Sequence, residues 1–79
     1  MATATTNIRL DAAYDLRCAA IKVNNAEYDQ AIRLADRKAS DLPPSAIQAL
    51  HATASDRLIR RKASIERAYR KACRVIRGS

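Results

Sequence analysis

The sequence predicts an all-α protein: an antiparallel hairpin of two long helices, over residues 7–39 and 43–77, that dimerises into a four-helix bundle. Three observations predict it. Apolar residues recur at spacings of three and four through both halves, which is the period of a helix face and not of a strand. The only interior punctuation is Pro43-Pro44, and the single glycine is Gly78. Alanine, the strongest helix former, supplies 17 of the 79 residues. Bulk is scarce by comparison. Ile, Leu and Val together number 15, and Phe and Trp are absent. A chain of this size buries only about 60% of its unfolded surface, so a self-contained globular core is out of reach.

In the first helix the seam reads Leu10, Tyr14, Cys18, Ile21, Asn25, Tyr28, Ile32, Ala35, Ala39. In the second it reads Ile47, His51, Ala54, Leu58, Ile65, Tyr69, Ala72, Ile76. Each helix would run about 50 Å at 1.5 Å per residue. Pro43-Pro44 breaks the chain between them, because proline suits a first turn and not a helix interior. Ser40 or Asp41 is placed to cap the second helix. Residues 1–6 fall outside the pattern and are expected to be disordered, leaving 7–79 as one domain. Gly78 is the residue type that ends helices in a left-handed cap.

Asn24-Asn25 with Glu27, and Thr53-Ala54-Ser55-Asp56, both resemble capping signals. A break at the first would make three helices. Two continuous helices are the preferred reading because both seams hold register through these points. Asn25 then becomes a polar residue inside a seam, a device that fixes register at some cost in stability.

A hairpin leaves a second stripe uncovered on the first helix. Leu16, Val23 and Leu34 lie roughly opposite Tyr14 at about 100° per residue. Ile59 sits off the seam of the second helix, and Leu50, Ala68 and Val75 widen its other flank. A helix that is apolar on two faces wants two neighbours, and a second copy supplies them in a symmetric bundle. Leu16, Val23 and Ile59 are therefore candidate apolar contacts, to a dimer mate or to another protein.

The formal charge of +7 is unevenly placed. Residues 1–56 carry six basic and seven acidic side chains; residues 57–79 carry nine basic ones and only Glu66. Arg60, Arg67 and Arg74 repeat every seven residues, flanked by Arg70 and Lys71, and face away from the seam. Such a stripe is consistent with a solvated face paired across the hairpin to Asp11, Asp15 and Asp29. It also fits phosphates of nucleic acid, or the carboxylates of an acidic protein surface. The chain has no known DNA-binding motif and no aromatic platform for bases, so nucleic-acid contact would be non-specific and salt-sensitive.

Catalysis, cofactors and metals find no support in the pattern. His51 is the only histidine, and its seam position reads as a packed or hairpin-end residue. With the turn near residue 42, Cys18 falls opposite about residue 67. That leaves Cys73 about 9 Å further along the axis, beyond the reach of a disulfide. No apolar run approaches the ~20 residues that span a bilayer, and the alanine-diluted apolar faces suit a membrane surface poorly. Nor does the N-terminus read as a secretory signal. The expectation is a cytoplasmic, non-catalytic regulatory protein that binds and modulates, most simply inhibits, a larger acidic-surfaced protein. The alternative is a nucleic-acid-binding helical dimer. In architecture alone the expected hairpin is similar to some small phage-encoded or bacterial regulators that bind a host protein and block it.

Overall fold

The computed structural model describes residues 4–78, and they form two helices and the turn between them. Helix α1 spans Ala4–Arg37 and helix α2 spans Pro44–Gly78. All long-range contacts run between these two helices, so the fold is the all-α antiparallel hairpin that the periodicity predicts. Its Cα envelope measures 60 × 15 × 9 Å. That is one layer, two helices side by side at ordinary packing distance. The radius of gyration is 18.0 Å, well above the roughly 12 Å of a compact chain this long.

The boundaries differ from the sequence reading for local reasons. α1 runs back through Ala4–Thr6, residues expected to lie outside the helix; residues 1–3 and 79 lie outside the described part. At its other end α1 stops at Arg37, before Ala39. The Lys38 amide is shared between the carbonyls of Leu34 (3.3 Å) and Ala35 (3.1 Å), and the Ala39 amide donates to Asp36 (3.2 Å). This tightening from i→i+4 to i→i+3 bonds closes the last turn. The Asp41 amide then donates to the Lys38 carbonyl at 2.9 Å. Pro44 takes the first helical position, where its missing N–H costs nothing. The cap position falls to Pro43, whose carbonyl accepts from the amides of Ala46 (3.0 Å) and Ile47 (3.2 Å), and not to Ser40 or Asp41. Gly78 stays helical, and no described glycine has a positive φ.

Both helices pass unbroken through the two capping-like signals. The Thr53 hydroxyl donates back to the Ala49 carbonyl at 2.9 Å, a bond made within a continuous helix. Asp56 reaches forward to Arg60, Nη2 to Oδ2 3.1 Å. Asn24 turns its amide across the hairpin, Nδ2 donating to the Leu58 carbonyl at 3.1 Å. With Arg17 against Glu66 and Glu27 against Arg61, this bond sets the register.

The core is thin. Among the described residues Ala35, Cys73 and Ile76 are the buried apolar ones, and no side chain is fully enclosed. Of the predicted seam, Ile21, Tyr28, Ile32, Leu58, Ile65 and Tyr69 are half-buried and Ile76 is buried. Tyr14, Cys18 and Asn25 are exposed. The α1 seam runs instead through Leu10, Ala13, Arg17, Ala20, Asn24, Tyr28, Ala31 and Ala35, and its one fully packed polar residue is Asn24, 5% exposed. Small alanines face α2 at these positions, and the bulkier Tyr14 stands on the flank.

Candidate functional site

The described surface divides into a clamp, an apolar groove and a basic ridge. The clamp forms around Arg17. Its Nε donates to Glu66 Oε1 at 2.8 Å, and its Nη2 lies 2.6 Å from the same oxygen. The guanidinium also sits 5.9 Å from the Tyr14 ring centroid and 5.5 Å from that of Tyr69. The two rings meet edge to face, 6.3 Å apart. A cation over two aromatic faces and a carboxylate is a stable arrangement for a half-buried arginine. The hydrogen bond from Arg17 holds the Glu66 carboxyl below its ordinary value, and Glu66 in turn raises Arg17. A hydrogen bond with Cys73, together with burial, pushes the Tyr69 hydroxyl up. Arg17 is one of the seam residues that sequence reading misses, because the hydropathy of a charged side chain assigns it to solvent.

The groove runs along one broad face of the hairpin. Ala13, Leu16 and Ala20 of α1 line it together with Ile65, Ala68 and Ala72 of α2. Towards the turn it continues past Val23 and Ser64. Leu16, Val23 and Leu34 share one side of α1, and Leu50, Ala68 and Val75 share one side of α2, since steps of seven and eighteen residues return to nearly the same angle. Leu16 is 73% exposed and Val23 57%. The structure thus brings Leu16 and Val23 together. It does not bring Ile59 to them: Ile59 is exposed, but nine residues from Ala68 place it on the opposite side of α2.

The ridge is the outer edge of α2. Arg60, Arg67, Arg70, Lys71 and Arg74 are all exposed. Arg60 pairs with Asp56. Arg67, Arg70, Lys71 and Arg74 join Arg77, which the sequence reading left out, around a shallow trough floored by Tyr69 and Cys73. Among the described residues these five cations have no ion-pair partner. Apart from Asp56, the acids that form pairs serve elsewhere: Glu27 holds Arg61, Asp36 meets His51 Nε2 at 3.0 Å near the turn, and Glu66 holds Arg17. Asp11, Asp15 and Asp29 do not reach the ridge.

Cys18 is an exposed free thiol and Cys73 a buried one. Among the described residues no group of three or more His, Cys, Asp or Glu side chains could hold a metal ion. Among the described residues no helix is long and apolar enough to cross a membrane. No known protein family, characterised protein or solved structure matches the chain. Fold and surface define a helical hairpin with one apolar face and one basic edge.

Proposed function

We propose that the chain is a non-catalytic binding protein, a cytoplasmic regulator that works as a four-helix bundle of two hairpins. It engages a larger acidic-surfaced protein through the ridge of α2 and modulates it, by inhibition in the simplest case, through stoichiometric contact. The observation that carries this reading is the set of five cations, Arg67, Arg70, Lys71, Arg74 and Arg77, which form no ion pair among the described residues and stand on one rigid helix. Arginine offers two parallel donors to a carboxylate or a phosphate, a geometry that favours contact with an oxyanion surface over solvent exposure alone.

A second reading, nucleic acid, has its own support. The large exposed aliphatics lie about a quarter-turn round α2 from Arg67 and Arg74, so the ridge has no apolar centre of the sort that anchors most protein interfaces. One experiment separates the two. Tagged protein is cross-linked in the source cell and recovered with and without nuclease, alongside the triple variant Arg67→Ala, Arg70→Ala, Arg74→Ala. A single protein retained through nuclease treatment and lost with the variant is the expected result. Loss on nuclease treatment, with a duplex gel shift at 50 mM salt that fades at 200 mM, would replace it with the nucleic-acid reading.

A further inference from the structure

The hairpin has two broad faces, and we infer that a second copy of this chain covers the groove face, the one carrying Leu16, Val23, Leu34, Leu50, Ala68 and Val75. This deepens the proposed four-helix reading, on which it rests, by assigning the face that closes the bundle. Domains are built from two packed layers around a shared core, and this hairpin is a single layer 9 Å thick. Its eight large exposed hydrophobics are not scattered. Five of them, Leu16, Val23, Leu34, Leu50 and Val75, stand on the groove side by helical phase, while the opposite side holds Tyr14 and Ile59 and the outer edge of α1 holds Ile8.

The area agrees with self-association. A face of 60 by 15 Å presents about 900 Å², close to the ~800 Å² per partner of a standard stable interface. Beside the groove Arg61 and Glu27 bind one another within one copy, so that pair needs no counter-charge from a mate. The alanines and Ser64 that floor the groove admit the close approach that helix-on-helix packing needs. The opposite face carries Asp11, Lys22, Asp29 and Arg70 by helical phase, and those charges would have to be desolvated. The ridge, which runs from the outer edge of α2 onto that opposite face at Arg70 and Arg77, stays clear of the covered face.

Sedimentation equilibrium at about 50 μM, with variants on either face, tests the assignment. The wild type is expected at twice the 8.7 kDa chain mass. Leu16→Glu combined with Val23→Glu should weaken dimerisation by about a hundredfold or more, whereas Ile59→Glu should leave the dimer intact. Should the double variant lose its helix signal, thiol protection decides. In a Cys18→Ser, Cys73→Ser background, Leu16→Cys should be alkylated slowly in the dimer and faster on dilution, and Ile59→Cys rapidly throughout. A wild-type dimer broken by Ile59→Glu, or one that leaves Leu16→Cys unprotected, overturns the choice of face and leaves the four-helix reading standing. A wild-type monomer overturns both.

Discussion

Asn24 and Asn25 are neighbours with opposite environments, and replacing each by alanine gives a sharp comparison. Asn24 is 5% exposed and its Nδ2 donates to the Leu58 carbonyl at 3.1 Å. Asn25 is exposed. Both substitutions gain helix propensity, about 0.6 kcal/mol for asparagine to alanine. Asn24→Ala also loses a cross-helix hydrogen bond worth about 1 kcal/mol, together with packed volume at a seam without spare bulk. Its net cost is about 1 kcal/mol, while Asn25→Ala should stabilise by about 0.5 kcal/mol. The gap of about 1.5 kcal/mol corresponds to a difference of roughly 6–12 °C in Tm for a chain this long. Thermal unfolding followed by circular dichroism at 222 nm, with both variants at one protein concentration, measures it. If Asn24→Ala melts no lower than Asn25→Ala, the register and the seam phase argued above are wrong.

Glu66 predicts a pH dependence. Its folded value is lowered, so its contribution to stability is complete above the ordinary carboxylate value of about 4.3 and is lost as pH falls through the lower folded value. Melting between pH 6 and pH 3 should show the wild type losing more stability than Glu66→Gln, and parallel curves would contradict the Arg17 clamp. Arg61 and Glu27 are each about half exposed, so a double-mutant cycle should return a coupling of about 0.2–1 kcal/mol that shrinks in 1 M salt. Cys18 should be alkylated well before Cys73, which is 8% exposed. Equal rates would mean that the α2 end of the seam opens freely.

Much of the architecture was legible because it rests on strong local signals. Pro43-Pro44 can sit in few places other than a first helical turn, and the spacings of three and four admit no strand. Leu16, Val23 and Leu34 revealed the second stripe through angle alone. What was not legible is the phase of the α1 seam. Apolar bulk weighs Tyr14 and Cys18 above Ala13 and Ala20, yet the seam takes the smaller residues. Arg17 and Asn24 were hidden for a related reason. Each enters the seam only because a partner across the hairpin, Glu66 or the Leu58 carbonyl, satisfies it, and no single-helix pattern encodes that partner. The ridge was readable as a charge stripe, but its isolation from Asp11, Asp15 and Asp29 depends on which way each helix turns.

The hairpin topology also orders its own assembly in time. Cross-helix bonds span 15 residues at Asp36–His51, 34 at Asn24–Leu58 and 49 at Arg17–Glu66. Closed from the open chain, the longest of these loops costs about 1 kcal/mol more entropy than the shortest, and each contact already made nearer the turn shortens the loop that the next must close. The chain should therefore zip from the Pro43-Pro44 turn outward, like other folds rich in local contacts. Arg67 to Arg77 ride on the stretch of α2 that locks last. Whatever meets the ridge meets the end of the zipper, and by holding it shut it would slow unfolding of the whole hairpin from that end.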